Sequence, residues 1–424
     1  MTEFIQFKRG QQQVKYSRCE PQFEGNAFLP QYAFVPLAFQ TRMNSFPLVS
    51  VGDTVHEGQI IARAADHVSV HAHASVPGVV AGIIDTKLPS GHFFRGVHIR
   101  TEGRFDILGT RRSPYPWEQC DRQELLHFLE LAGLVNTAEG ITPLAERIGT
   151  ASKRGVNRLT AVLYDKDPSC CLDSFLTRRF TREVSEGIAV IARALNASKI
   201  TVELPAEKDR SIPDLITAVL SGHELSFISV PNTYPPENVH TCAAESGAFV
   251  IDALTALTVY ESVKYNQPML TTYVLVTGKT LERSKILKIR IGTPIGHLIE
   301  ECGGFKAKNT HIILNGLLQG ILVDSLDLPA GKGIKSIHAA GKEVSLQKQI
   351  EDCGHCGQCL RSCPAFIDPI GTVRLIQKKH YTDDVLHSVA LCRGCACCSA
   401  VCPARIPLCT IIKSAARKGA GYAL

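Results

Sequence analysis

The pattern of apolar and polar positions changes along the chain and predicts different structures in successive segments. Over the first 110 residues, short runs rich in Val, Ile and Gly alternate with turn residues, which is typical of β-structure. Residues 47–61 and residues 70–84 each predict a strand, a turn and a second strand. The sequence therefore predicts an N-terminal β-module built from two similar halves.

From about residue 120, strand patterns alternate with amphipathic helical patterns. Strands are predicted at residues 158–164, 199–204 and 225–230, and the longest helices at roughly 178–195 and 248–265. Strands and helices that alternate at this spacing favour a parallel sheet covered by helices, which is a Rossmann-like α/β layer.

A second β-rich block follows the helical region. Residues 273–278 and 285–291 predict two antiparallel strands, residues 293–304 a short helix, and residues 311–314 a further strand. This order predicts a small β-grasp-like module ahead of a cysteine-rich tail.

Composition and charge exclude several classes of protein. The 424 residues carry a formal net charge of +6 with no arginine-rich stripe, which argues against a nucleic-acid-binding protein. No run approaches the roughly 18 consecutive apolar residues that suggest a transmembrane helix. Residues 1–10 are polar and do not resemble a signal peptide. We therefore expect a cytoplasmic protein without a membrane span of its own.

The distribution of cysteines points to metal binding. Ten of the 16 cysteines lie between Cys353 and Cys409. A disulfide framework would spread its cysteines over a domain, whereas a metal site clusters them, and disulfides are rare in cytosolic proteins.

Eight of these cysteines form two copies of the spacing C-x2-C-x2-C-x3-C-P. Three closely spaced thiolates on a tight loop can occupy three corners of a 4Fe–4S cluster, and small residues such as Gly354, Gly357 and Gly394 let the backbone curl around it. In two-cluster ferredoxins, the fourth cysteine of each run binds the other cluster. We therefore predict two sets of ligands, namely Cys353, Cys356, Cys359 and Cys402 for one cluster and Cys392, Cys395, Cys398 and Cys363 for the other.

A pair of zinc sites is the alternative interpretation of these cysteines. Zinc sites usually combine two C-x2-C halves and not a triplet followed by Cys-Pro, so the spacing favours iron–sulfur clusters. Cys397 and Cys409 lie out of register with the repeat and are predicted to be packed residues without a ligand role.

Two resemblances to known proteins follow from these segments. The N-terminal halves resemble the barrel-sandwich module of lipoyl and biotinyl carriers, although no lysine lies between Lys15 and Lys87 to carry a cofactor. The order of parts resembles, over nearly the whole chain, the RnfC component of the Rnf ion-pumping electron-transport complex. The most specific stretches are residues 47–55, residues 290–305 and the two cysteine runs.

The predicted fold class is a multidomain α/β plus α+β protein with four units. They are a barrel-sandwich hybrid-like domain (1–110), a Rossmann-like α/β domain (111–267), a β-grasp ligand-binding-like module (268–342) and a dicluster ferredoxin-like helical domain (343–424).

The chain departs from the Rnf family at the nucleotide site. In the family, a glycine-rich loop after the first α/β helix cradles FMN and NADH, but here residues 134–143 lack the glycine pair and contain Glu139. The acidic motif that follows reads Asp165-Lys-Asp-Pro168, and a third segment, residues 234–238, has also lost its glycines. Backbone access to a phosphate is hard to replace, so the sequence predicts a lost FMN/NADH site and no catalytic residues.

These observations predict an electron-transfer subunit. The two clusters would relay single electrons between a flavin or ferredoxin-type partner and a docked acceptor, and the resemblance implies a peripheral place on the cytoplasmic face of a membrane complex. Two alternatives stay open: an NADH-dependent oxidoreductase that still binds FMN, and a structural adaptor of a redox complex.

Overall fold

The structure is a computed structural model. It describes residues 14–15, 21–37, 45–67, 69–87, 93–105, 112–138, 140–206, 211–235, 247–308, 310–323, 325–341 and 350–419.

Strands dominate the described residues up to position 101 and those between 271 and 340. In chain order they are β1 (Val14–Lys15), β2 (Gln22–Asn26), β3 (Tyr32–Pro36), β4 (Phe46–Pro47), β5 (Thr54–Val55), β6 (Ile60–Arg63), β7 (Ala72–His73), β8 (Gly78–Lys87), β9 (Phe93–Thr101), β10 (Val135–Asn136), β11 (Thr142–Pro143), β12 (Arg158–Val162), β13 (Lys199–Pro205), β14 (Glu224–Val230), β15 (Thr233–Tyr234), β16 (Phe249–Asp252), β17 (Thr271–Thr277), β18 (Lys285–Arg290), β19 (Thr293–Pro294), β20 (His311–Leu314), β21 (Ile321–Val323), β22 (Pro329–Ala330) and β23 (Ser336–Ala340).

Helices occupy the middle of the chain and its C-terminal part. They are α1 (Arg122–Leu131), α2 (Leu144–Lys153), α3 (Leu172–Arg179), α4 (Thr181–Leu195), α5 (Ser211–Val219), α6 (Ala253–Tyr265), α7 (Ile295–Glu301), α8 (Gln358–Arg361), α9 (Pro369–Gln377), α10 (Asp383–Leu391), α11 (Cys397–Ala400) and α12 (Leu408–Gly419).

The N-terminal strands form two small sheets around one core. One sheet has the order β3-β9-β8-β5 and the other the order β4-β6-β7. Their shared core contains Val35, Val55, Ile61, Val80 and Ile99, all of which are buried. This is the barrel-sandwich arrangement that the two similar halves of the sequence predict.

The central layer is a four-stranded sheet in the order β14-β13-β12-β16, and all its strands are parallel. The three strands predicted from the sequence are therefore confirmed, but two helix predictions need correction. Residues 249–252 are a buried strand and not the start of a helix. The helix predicted at roughly 178–195 is present as α4 but begins at Thr181, because Phe180 leaves helical geometry (φ −129°, ψ 41°) between α3 and α4 and packs its ring near those of Phe23 and Tyr273.

The third unit is a six-stranded sheet in the order β2-β18-β17-β23-β20-β21. Its predicted antiparallel pair, β17 and β18, is present, and α7 packs on one face through Leu298 and Ile299. Strand β2 pairs in parallel with β18, although it precedes the barrel-sandwich strands. The N-terminal segment therefore crosses between units, which a division by sequence position at residue 110 does not anticipate.

The C-terminal part consists of short helices around a core of its own. Val373, Val385, Leu408 and Ile412 are buried there together with several cysteines. Among the helices that the structure describes, none combines the length and apolar character needed to cross a membrane.

The contact between α4 and α6 depends on the absence of a side chain at Gly187. A Cβ atom at this position would lie 1.9 Å from the Ala256 carbonyl oxygen, whereas one at Gly149 in α2 would meet nothing within 4 Å. We expect Gly187→Ala to lower the free energy of unfolding by about 1–3 kcal/mol, because the helices must separate. Gly149→Ala, the matched control, should be neutral or stabilising by up to about 1 kcal/mol. Urea unfolding followed by circular dichroism measures both, and equal effects would contradict the prediction.

Candidate functional site

The two cysteine runs fold in the same way. His355 and Gly394 are left-handed (φ +53° and +71°), and Gly357 and Ala396 are left-handed two residues later (φ +68° and +58°). Each loop then leads into a single-turn helix, α8 or α11. A left-handed conformation costs a non-glycine residue roughly 1–2 kcal/mol, so His355 and Ala396 are held there by the loop. The repeated spacing in the sequence therefore corresponds to a repeated backbone path.

The four cysteines predicted for the second cluster come together in the structure. Cys363, Cys392, Cys395 and Cys398 line one cavity, which is otherwise walled mainly by apolar residues such as Ile367 and Ile412. Cys363 comes from the first run and the other three from the second. Burial raises the pKa of the Cys363 thiol, with a further contribution from Cys395 and Cys392 nearby.

The cysteines predicted for the first cluster are less enclosed. Burial raises the pKa of the Cys359 thiol, and Cys402 and Cys353 are close enough to raise it further. Cys402 comes from the second run, so this neighbourhood also crosses between the runs. Cys356 is exposed.

The donor set suits an iron–sulfur cluster in chemical type. Thiols from two loops line one apolar space, and thiolates are the ligands that a cubane takes. No group of three or more His, Cys, Asp or Glu side chains in the described part of the chain is arranged to hold a single metal ion. Cys363, Cys392, Cys395 and Cys398 instead line the walls of a shared cavity.

The two cysteines outside the repeat are both buried beside the second set. The Cys397 thiol donates to the Cys395 carbonyl oxygen at 3.9 Å. Cys409 lines the cavity and hydrogen-bonds the Cys392 thiol, an interaction that lowers the pKa of Cys392 to about 6.

Asp165 and Asp167, the acids of the motif at residues 165–168, follow β12 at its carboxyl end. They accept hydrogen bonds from amides and a hydroxyl of the protein itself. Asp165 accepts hydrogen bonds from the amides of Asp173 and Ser174 and from the Ser174 hydroxyl, at 2.5 to 3.1 Å. Asp167 accepts from the amides of Leu318 and Gln319, at 3.0 and 3.3 Å. Both carboxylates thus stabilise neighbouring turns.

The loop that corresponds to the family's glycine-rich segment is closed by internal hydrogen bonds. Strands β10 and β11 make it a hairpin. The Thr137 amide donates to the Thr255 hydroxyl at 3.0 Å, and the Ala138 amide to the Asn136 side chain at 3.0 Å. A phosphate cradle needs such amides to be available to the ligand, so these residues do not fit a flavin phosphate. Glu139 and residues 236–238 lie outside the described residues.

A lysine and two buried carboxyl groups meet at the carboxyl end of the parallel sheet, beside this loop. Lys335, which precedes β23, contacts Asp173 at 2.7 Å and Asp252 at 2.6 Å. The Lys335 side chain is 20% exposed, and those of Asp173 and Asp252 are 7% and 3% exposed. The Thr137 hydroxyl also donates to Asp252, at 2.7 Å. The hairpin and the lysine therefore meet on the same carboxylate.

The pKa values of the two carboxyl groups, Asp173 and Asp252, are shifted in opposite directions. Burial and the neighbouring Asp252 raise the pKa of Asp173 to about 7, although Lys335 opposes this shift. Burial alone would raise the pKa of Asp252, but Lys335 and the Thr255 hydroxyl and amide more than offset it, so the pKa is lowered. Asp252 is thus the ionised partner of the lysine.

Sequence reasoning missed Lys335 and Asp252. Asp252 lies in a segment predicted as helix, where it ends β16 and caps α6 by accepting the Thr255 amide. Lys335 belongs to no motif, and its two partners are 162 and 83 positions away in the sequence. Only the fold brings these groups together.

Comparison with known proteins matches the N-terminal part of the chain to a family model and 80–84% of the chain to curated relatives. A family model described as the RnfC barrel sandwich hybrid domain matches residues 10–104. The chain is 25% identical, over 84% of its length and 80% of the relative, to the RnfC-type component of the proton-translocating ferredoxin:NAD(+) oxidoreductase complex of Clostridium ljungdahlii. It is 26% identical, over 80% of its length and 69% of the relative, to the corresponding component of the ion-translocating oxidoreductase complex of Rhodobacter capsulatus. The predicted resemblance to RnfC is confirmed.

A solved structure of an NAD+-reducing NiFe hydrogenase in the H2-reduced state aligns with a TM-score of 0.47 and 14% identity, over 72% of this chain and 68% of that chain. A likeness at this level carries no information about function.

Replacing Lys335 tests how much this buried lysine contributes to the stability of the fold. We expect Lys335→Met to lower the free energy of unfolding by about 3–5 kcal/mol, because two buried carboxyl groups lose their common cation. Lys199→Met is the control, since Lys199 and Glu224 form an exposed pair (40% and 68% exposed) worth about 0–1 kcal/mol. Urea unfolding monitored by circular dichroism measures both, and a Lys335→Met effect no larger than the control's would contradict the prediction.

The raised pKa of Asp173 predicts how the free energy of unfolding depends on pH. Its folded pKa of about 7 exceeds the ordinary 3.8, so the folded protein binds a proton that the unfolded chain releases between these values. Its contribution to stability is therefore fully present below the unfolded pKa and lost as the pH rises toward 7. The free energy of unfolding of wild type minus that of Asp173→Asn should fall over this range. A value that rises with pH would show that Asp173 is ionised in the folded protein.

Proposed function

We propose that this chain is an electron-transfer subunit of an Rnf-like, membrane-associated oxidoreductase complex, relaying single electrons through two 4Fe–4S clusters. The observation that carries the proposal is the cavity lined by Cys363, Cys392, Cys395 and Cys398. Support comes from the relatives, which belong to ferredoxin:NAD(+) or ion-translocating oxidoreductase complexes and share about 25% identity over 80–84% of this chain.

The proposed ligands form two crossed sets. The first cluster would be held by Cys353, Cys356, Cys359 and Cys402, and the second by Cys392, Cys395, Cys398 and Cys363. When bound, such clusters supply outer-sphere, one-electron chemistry. The chain's own residues would supply the thiolates, keep water from the second cluster through apolar walls such as Ile367 and Ile412, and leave the first cluster nearer the surface at Cys356.

We also propose that the FMN and NADH site of the family is absent from residues 134–143. The amides of Thr137 and Ala138 donate within the protein, and Lys335 neutralises the carboxylate at the end of β16. Electrons would then reach the clusters from a redox protein partner, a flavoprotein or a ferredoxin, and leave to a docked acceptor at the cytoplasmic face of the membrane. Nucleic acid has no part in this function.

A cofactor census on anaerobically purified protein tests the proposal. We expect about eight irons and eight sulfides per chain, with no flavin, because two cubanes require that stoichiometry. Iron near zero would contradict the proposal. Stoichiometric FMN, with clusters that NADH reduces, would favour the oxidoreductase alternative, and clusters that cannot be reduced at physiological potentials would favour the structural adaptor.

The crossing of the two ligand sets has its own test. Cys363→Ala and Cys398→Ala should each leave about half the iron, and so should the double variant, because both residues belong to one cluster. Cys363→Ala combined with Cys402→Ala should leave almost none. If each run held a cluster by itself, Cys363→Ala with Cys398→Ala would remove all the iron instead. Cys302→Ala, in a buried position outside both runs, is the control and should keep all of it.

A further inference from the structure

The loop that carries Cys395 is held by a side chain from a distant part of the α/β layer. The Tyr234 hydroxyl donates to the Cys395 carbonyl oxygen at 2.5 Å, across 161 positions of sequence. Tyr234 is 2% exposed, so this contact is buried. The hydroxyl in turn accepts a hydrogen bond from the Gln319 side-chain amide at 3.3 Å.

Gln319 is itself fixed by the eroded acidic motif. Asp167 accepts the backbone amides of Leu318 and Gln319, and Leu318 packs against the core of the C-terminal helices. A continuous set of contacts therefore runs from Asp167 through Gln319 and Tyr234 to the Cys395 carbonyl. These contacts link three units of the fold: the α/β domain with Asp167 and Tyr234, the six-stranded sheet with Gln319, and the cysteine-rich tail with Cys395.

We infer that Tyr234 is a positioning residue that sets the reduction potential of the second cluster through the Cys395 peptide. This inference rests on the proposed function. The Tyr234 hydroxyl compensates the negative end of the Cys395 carbonyl dipole next to a predicted ligand. Without it, the Cys395 carbonyl oxygen would keep only the weak donor of the Cys397 thiol at 3.9 Å, and its negative end beside a predicted ligand would oppose the added electron. Hydrogen bonding and dipoles around a cluster are among the main determinants of its potential.

The direct test compares Tyr234→Phe with wild type in an anaerobic redox titration followed by electron paramagnetic resonance. We expect iron content to stay at the wild-type value and one of the two clusters to become harder to reduce. The expected change is about threefold to tenfold in the reduction equilibrium, or up to about 59 mV for a one-electron couple. Repeating the comparison in a Cys353→Ala background, which should lack the first cluster, assigns the shift to the second.

Tyr273→Phe is the matched control. Tyr273 is 3% exposed and its hydroxyl donates to Glu261 at 2.7 Å, so this variant also loses a buried hydroxyl hydrogen bond, but away from the cysteine runs. It should change stability and leave both potentials unchanged. If Tyr234→Phe does not fold, Gln319→Met replaces it and should shift the same cluster in the same direction by a smaller amount, because the hydroxyl loses a polarising donor.

The outcomes separate this inference from the function on which it rests. Wild-type protein without iron would overturn the proposed function. Wild-type protein with both clusters, together with Tyr234→Phe clusters that are unchanged or shifted equally, would overturn the role of Tyr234 alone. Loss of about half the iron in Tyr234→Phe would also overturn it, because the hydroxyl would then be needed to hold the loop and not to set the potential of an assembled cluster.

Discussion

The buried ion group of Lys335 with Asp173 and Asp252 is the constraint on which the arrangement of the central units depends. Lys335 comes from the six-stranded sheet, and the two carboxyl groups come from the parallel layer. With the units packed together, removing either kind of partner leaves the other buried without its counter-charge, which costs several kcal/mol. The same contact draws in Thr137 and closes the hairpin over the carboxyl end of the sheet. In an open α/β layer this end is where ligands normally bind.

The acidic motif at residues 165–168 binds the protein's own amides. Asp165 and Asp167 direct their oxygens at amides of α3 and of the turn at residues 316–319. Through Gln319 and Tyr234, that turn reaches the loop of the second cysteine run. A part of the fold that would otherwise face a ligand therefore anchors the cysteine-rich tail.

Local patterns in the sequence were sufficient for three of the four strands of the parallel layer, β12, β13 and β14, and for the tight loops of the cysteine runs. Both depend on neighbouring residues, as in the left-handed pairs at His355 with Gly357 and at Gly394 with Ala396. The break at Phe180 was not predictable, because it depends on packing against Phe23 and Tyr273, far away in sequence.

The contacts of Lys335 with Asp173 and Asp252 could not be predicted from the sequence, for the same physical reason. Lys335 looks like any lysine before a strand, and its burial between two acids exists only once two sheets meet. The short apolar strand β16 also reads as helix, because its periodicity runs into α6 without a break.

Whether a flavin can bind at the carboxyl end of the parallel sheet decides how electrons would reach the proposed clusters. NADH delivers a hydride, which is two electrons at once, whereas each 4Fe–4S cluster accepts one. A flavin bridges the two regimes because it accepts a hydride and releases single electrons. If, as proposed, the loop whose amides donate to Thr255 and Asn136 holds no flavin, this chain cannot make that conversion. Its electrons would then arrive singly, from a partner that has already separated them, and the exposed Cys356 of the first cysteine set is where such a partner would meet the least protein.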